Sequence, residues 1–340
     1  MSLSKDYPEW GSVWTPLLQA AIRGGTDYNY RLGIKHFLDW IDFEYRAPLR
    51  TAREIDEALC EYGWWVYENM GGRGKWRLNM AVFGVEHYLP QLEKQMRLAR
   101  RSLKGWTNLR PPVSHSPLNF SLVSLIAMEL DRMGHPGAAV AALIGFDCYL
   151  RISEISGLRV CDVSDIVDSD LHLGRQVARG GRGTTTLLSI PVSKTWSNQS
   201  VQVRRPVLAG LLWSWIQYVT DVREQGSQAL LFPDPGTFRR LFYEAQVNLG
   251  WAKENGAVPF VPHSLRHGGA ACDYLTRGAL RLEEILFRGR WASVKSTRTY
   301  IQTGPALMAA AAAGIPRWQR EMGHRVAQSI RFWITIPNYL

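Results

Sequence analysis

Four short stretches between residues 148 and 300 of this 340-residue chain hold side chains able to grip or attack a phosphate. "CYLRISEISGL" places Arg151 at the end of an apolar run, with Glu154 one helical turn further on. A buried arginine needs such a partner or a ligand, because an uncompensated charge there is costly. "PVSKTWSNQ" puts Lys194 at the exit of a β-rich run. "HSLRHGGA" sets His263 and Arg266 on one helical face with His267 adjacent. The glycine pair that follows is poor for a helix interior and implies close backbone approach. "GRWASVKSTRTY" brings Trp291 and, after a break, Tyr300, a phenol among the cations Arg290, Lys295 and Arg298. Each stretch alone has an ordinary reading: an ion pair tying two helices, a solvated edge lysine, a capped helix start, two core aromatics.

Together they fit one reaction. Cutting a phosphodiester without metal takes a nucleophile, two cations on the non-bridging oxygens, a proton acceptor, and a proton donor for the leaving alkoxide. Guanidinium forks match phosphate oxygens bidentately and stay charged. Preorganised donors aimed at developing charge contribute about 10²–10³ in rate for a single donor. Two arginines, a histidine, a lysine and a tyrosine supply that inventory, and no Asp/Glu/His cluster has metal-ligand spacing, so neither metal nor cofactor is expected.

The elements that must position these groups read as mainly α with a small β hairpin, in two domains, the number that 340 residues suggest. Residues 1–109 read as a helical domain. "TAREIDEALCEYGWWVYENM" opens on Thr51 and Glu54, a capping-box spacing, and "DYNYRLGIKHFLDWIDFEY" carries Tyr30, Ile34, Phe37, Leu38 and Ile41 on one stripe. "KWRLNMAVFGVEHYLPQL" makes a further helix that stops near Pro90. "RLARRSLKGWTNLRPPVSHSP" combines cations with prolines and reads as a basic linker, with 110–118 as the boundary proper. From 119 to 313 come two apolar helices broken by "HPG", the runs "TTTLLSIPVSK" and "SVQVRRPV" joined as a hairpin through "TWSNQ", then helices at 207–225, 237–249 and 263–288. An alanine-rich helix follows Tyr300, and 314–340 reads as a tail. "GGRG" at 71–74 and 180–183 lacks the Lys-Ser/Thr of a phosphate-cradling loop and reads as two basic turns.

Lys and Arg number 40 against 30 Asp and Glu, a balance that suggests a polyanionic partner. The longest uncharged run in mid-chain, 206–220, is too short to span a bilayer and the N-terminus lacks a signal-peptide core, so no membrane partner is expected. Cys60, Cys148, Cys161 and Cys272 show no CxxC spacing, as in an intracellular, reducing setting. Nucleic acid is the simpler polyanion.

In order and spacing, Arg151 with Glu154, Lys194, "HSLRH", Trp291 and Tyr300 resemble the tyrosine recombinase (phage integrase-like) family over residues 118–305. "GFDCYLRISEISGLRVCDV" resembles its first-arginine box, down to Leu158 and Asp162, and "HSLRH" its H-x-L-R-H box. The resemblance implies a two-domain DNA-breaking-rejoining fold, with a helical core-binding domain and an α+β catalytic domain. It implies that Tyr300 attacks the scissile phosphate to form a 3′-phosphotyrosyl link, Arg151 and Arg266 clamp the phosphate, and His263 assists the tyrosine's proton. Lys194 would protonate the leaving 5′-hydroxyl, Glu154 would buttress Arg151, and His267 would stand behind the clamp. The interval from Trp291 to Tyr300 matches the family's and selects Tyr300 over Tyr243 and Tyr274. Where many members have "LGH", this chain has "RGRW"; Trp291 can donate to a phosphate oxygen but cannot shuttle a proton.

The DNA-facing cations expected around the site are Arg100, Arg101, Lys104, Arg110, Arg182, Arg204, Arg205, Arg290 and Lys295. The family further implies double-stranded DNA as partner, a specific recombination site, and a homo-tetramer that exchanges strands through a Holliday junction. The free protein would be a monomer or dimer, and the tail would pass between protomers. "RGRWAS" with "RTYIQ" resembles recombinases of eukaryotic DIRS- or Crypton-type mobile elements, which would work in the nucleus; a phage or bacterial origin would mean the cytoplasm or nucleoid. Two other readings stay open: a type IB topoisomerase-like enzyme that relaxes supercoils as a monomer, and a domesticated DNA-binding protein that no longer cuts. An RNA- or membrane-binding helical protein is the bland alternative.

Overall fold

The computed structural model of the protein describes residues 21–22, 24–44, 49–111, 116–167, 184–192, 197–276, 282–301, 308–309, 313–330 and 334. The chain divides into two compact units, Met1–Val113 and Ser114–Leu340.

The first unit is helical: α1 (Gly24–Glu44), α2 (Ala52–Asn69), α3 (Lys75–Tyr88) and α4 (Arg97–Leu109). α2 begins at its capping box. The Thr51 hydroxyl accepts the Glu54 N–H at 3.2 Å, and the Glu54 carboxylate accepts the Thr51 N–H at 3.0 Å. Ile34, Phe37 and Ile41 of the α1 stripe bury into one cluster with Leu59, Tyr62, Leu78 and Val82, while Tyr30 and Leu38 pack at its edge. α1 and α3 approach closely at Gly33, where a Cβ would lie 2.7 Å from the Ala81 nitrogen.

The expected basic linker requires correction over 97–109, which is a helix. α4 buries Ala99, Leu103 and Trp106, at i, i+4 and i+7, and leaves Arg101 and Lys104 in solvent. Four cations outweigh that narrow stripe in the sequence. Its first turn is capped from far along the chain, with the buried Asp56 carboxylate accepting the N–H groups of Leu98 at 2.9 Å and Ala99 at 3.0 Å.

The second unit runs α5 (Phe120–Arg132), α6 (Pro136–Asp147), α7 (Ile152–Gly157), β1 (Val163–Val167), β2 (Thr184–Val192), β3 (Ser197–Gln202), α8 (Pro206–Gln217), α9 (Pro235–Asn248), α10 (His263–Thr276), α11 (Leu282–Gly289), α12 (Val294–Tyr300) and α13 (Arg317–Gln328). α6 is buried on every side from Gly137 to Asp147, so apolar small residues surround a central axis rather than forming a stripe. The expected hairpin is β2–β3, and β2 alternates with Thr186, Leu188 and Ile190 inward. β1, unforeseen in "VSDIV", completes an antiparallel meander with Val163 opposite Leu188 and Val167 opposite Thr184.

The end of the chain, expected as an exchanged tail, is over its described residues a helix docked on its own unit. Val326 and Ile330 enter the main core, Trp251 Nε1 donates to Gln319 Oε1 at 2.7 Å, and Ser121 Oγ bonds His324 Nδ1 at 2.9 Å. The alanine-rich run lies largely outside the described residues. No described helix is long and apolar enough to cross a membrane.

Candidate active site

The site forms where the ends of α6 and α11 meet the starts of α7 and α10. Arg151 is the N-cap of α7 in extended conformation, and Glu154 stands at N3, where a carboxylate naturally turns back to the helix start. Glu154 accepts the Arg151 N–H at 2.9 Å and Arg151 Nη1 at 2.5 Å. Just upstream, Tyr149 adopts left-handed backbone (φ 51°), which turns its carbonyl toward the neighbouring guanidinium groups.

Arg266 sits on α10 with no solvent exposure. It donates through Nη1 to the Tyr149 carbonyl and through Nη2 to the Gly289 carbonyl, and Nη1 lies 3.9 Å from Glu154 Oε2. α10 can come this close because of the glycine pair. A Cβ on Gly268 would stand 2.0 Å from the Leu118 oxygen, and one on Gly269 would stand 2.1 Å from the Phe146 oxygen.

Tyr300, the last residue of α12, has its ring stacked with two others. Trp291 stacks on it at 4.6 Å and 28°, and His267 at 4.5 Å and 30°. His263 meets it edge-on at 5.6 Å, and the Arg266 guanidinium carbon lies 5.3 Å from the ring centroid. Two stacked rings leave the phenol little rotational freedom. Tyr149, Ala270, Ile285 and Trp291 form a small apolar floor beneath it.

Electrostatics around Glu154 are lopsided. Burial favours its neutral acid, but Arg290, the Arg151 N–H, Arg266 and Arg151 together hold the carboxyl below its ordinary range. Burial, then the like charges of Arg151 and Arg290, pushes Arg266 below the usual guanidinium range. Arg266 Nε and Trp291 Nε1 are buried with no hydrogen-bond partner among the described residues. Unpaired donors beside a phenol suit an incoming anion.

Arg151, Glu154, His263, Arg266, His267, Trp291 and Tyr300 are thus brought together. Lys194 and Arg182 lie outside the described residues. Arg290 requires correction: it is no DNA-facing cation but 8% exposed, with Nη2 on Glu154 Oε2 at 2.7 Å. Arg204 and Arg205 are half-buried: the Arg205 guanidinium pairs with Asp147, while the Arg204 guanidinium lies 3.8 Å from Asp273. Arg100 is bidentate on Glu86, whereas Arg101, Lys104, Arg110 and Lys295 are exposed.

Sequence reasoning missed Arg288, Asp147, Asp273 and Tyr149. Arg288 donates through Nη1 to the Gln202 carbonyl at 2.8 Å and through Nη2 to Asp147, and the Tyr149 hydroxyl donates to Asp273 at 2.5 Å. These partners lie 86, 141 and 124 positions apart.

The bundle with its three-stranded meander has the tyrosine recombinase fold. Lambda integrase, in a dimer bound to a COC′ core site, matches over 85% of this chain and 74% of its own at 15% identity and a TM-score of 0.55. Lambda integrase residues 75–356 in such a dimer match over 84% and 92% at 14% identity and 0.54. XerH recombinase bound to difH matches over 83% and 78% at 15% identity, with a lower TM-score of 0.48. No family profile and no curated protein sequence matches the chain.

Proposed function

We propose that the protein is a site-specific DNA recombinase that cuts and rejoins duplex DNA through Tyr300. The observation that carries this reading is the Tyr300 ring stacked with both Trp291 and His267, the buried Arg266 guanidinium carbon 5.3 Å from its centroid and His263 at its edge. The phenol oxygen attacks phosphorus, the P–O5′ bond breaks, and the 3′-phosphate stays on Tyr300. The phenol proton passes to His263, and the leaving 5′-oxygen takes a proton from Lys194. Arg151 and Arg266 hold the non-bridging oxygens, where preorganised donors act most strongly on developing charge. A covalent intermediate divides one substitution into two and keeps the bond energy, so a 5′-hydroxyl from either duplex reverses the step. Four protomers on two sites would exchange strands through a Holliday junction.

The docked α13 favours a second reading. A unit that satisfies its own C-terminal helix, through Val326 and Ile330, suits a monomeric enzyme that relaxes supercoils by the same chemistry.

The test uses nicked suicide duplexes selected from a randomised library for covalent capture by the wild-type chain. A protein–DNA adduct that disappears in Tyr300→Phe supports cleavage, and absence of any adduct leaves a non-cutting DNA-binding protein. Junction products from paired duplexes then mark the recombinase, and relaxation of a supercoiled plasmid without junctions marks the second reading.

A further inference from the structure

Arg290 belongs to none of the roles assigned above, yet it is one of the most constrained side chains in the second unit. Its backbone is left-handed (φ 54°), a region that residues with a Cβ occupy at a cost and glycine occupies freely. The neighbouring Gly289 is itself required, since a Cβ there would lie 2.0 Å from the Trp291 ring. The chain therefore carries a strained arginine where glycine would relieve the strain. Such outliers persist when something else depends on them.

Its side chain is 3% exposed. Nη2 donates to Glu154 Oε2 at 2.7 Å and more distantly to the Tyr149 carbonyl at 3.4 Å, the acceptor it shares with Arg266. Nη1 reaches the Arg288 and Cys148 carbonyls at 3.2 and 3.4 Å. Both Glu154 oxygens are thereby occupied, Oε1 by Arg151 Nη1 and Oε2 by Arg290 and the Arg151 N–H. Three guanidinium groups share one carboxylate, with the third, Arg266, 3.9 Å away. Two positive charges stay without a carboxylate among the described residues.

We propose that Arg290 is a positioning residue that fixes Glu154 between Arg151 and Arg266 and raises the site's charge to match the transition state rather than the bound substrate. The inference rests on the cleavage reading above. A phosphodiester brings one negative charge, and attack by the phenol oxygen builds roughly a second on the non-bridging oxygens. Arg151 and Arg266 less Glu154 would balance the diester alone. With Arg290 the surplus balances the pentacoordinate phosphorus, so Arg290 acts on the chemical step.

Single-turnover cleavage of the selected suicide duplex tests this with Arg290→Gly and Arg290→Lys beside wild type. Duplex affinity and melting temperature are read in parallel. The expected result for Arg290→Gly is a cleavage rate lower by about 10–100-fold at saturating protein, with affinity changed less than about twofold and the melting temperature kept or raised. Arg290→Lys, which restores charge without the fork, recovers part of the rate. Equal losses of rate and affinity, or a rate loss that tracks melting temperature in both variants, would reduce Arg290 to a structural tie and overturn the proposal. An unchanged rate in Arg290→Gly overturns it alone; no wild-type adduct overturns the cleavage reading and the proposal with it.

Discussion

Two buried carboxylates in the second unit each gather arginines, and they do so differently. Asp147, at the end of α6, accepts the Arg204 N–H at 2.8 Å and holds Arg205 and Arg288. Asp273 adds a second acceptor, 3.7 Å from Arg288 and 3.8 Å from Arg204, and Glu284 reaches Arg204 at 4.0 Å. In this cluster three carboxylates, Asp147 and Asp273 buried and Glu284 at the surface, match three guanidinium groups. Around Glu154 they do not: one carboxylate meets Arg151, Arg266 and Arg290, and the surplus lies beside Tyr300. A balanced network holds elements together, whereas an unbalanced buried one invites an anion.

Removing the balance should cost most. Asp147→Ala takes the carboxylate from half-buried Arg205 and leaves buried Arg288 only Asp273 at 3.7 Å, and it is expected to lower unfolding free energy by about 3–5 kcal/mol in urea titration. A loss under about 1 kcal/mol would mean the cluster is wetter than its burial implies. Arg151→Ala, on the unbalanced side, should slow cleavage about 10²–10³-fold while shifting unfolding free energy by less than about 1 kcal/mol. If stability fell as far as in Asp147→Ala, the two clusters would differ in address and not in kind.

The smallest effect separates the two by pH. Because the Glu154 carboxyl is held below its ordinary value of 4.5, its stabilisation is fully present above that pH and is lost as pH falls through the folded value. Glu154→Gln should therefore be less stable than wild type by about 1–3 kcal/mol at neutral pH, and the gap should narrow in acid. A gap that stays constant down to pH 3 would show that the arginines do not act on this carboxyl.

Much of the positioning was legible without coordinates. The Arg151–Glu154 spacing encodes a helix start whose acid returns to its own cap, and both partners lie within one turn. The glycine pair after His267 announced a close approach, and Gly268 and Gly269 make it. Periodicity showed the α1 stripe but concealed α4, whose buried residues are outnumbered by its cations. The inward turn of Arg288 and Arg290 was illegible, because the carboxylates that make it affordable lie 141 and 136 positions away.

Local physics therefore belonged to the sequence: caps, turns, strand alternation, and the kinds of side chain that could handle a phosphate. Which cations face solvent and which are buried was decided only by tertiary structure. A charge leaves water only when a partner arrives from elsewhere in the chain, and composition cannot express that meeting. The left-handed backbone at Tyr149 and Arg290 has the same origin, since strain at one residue is tolerated only when the surrounding fold holds it in place.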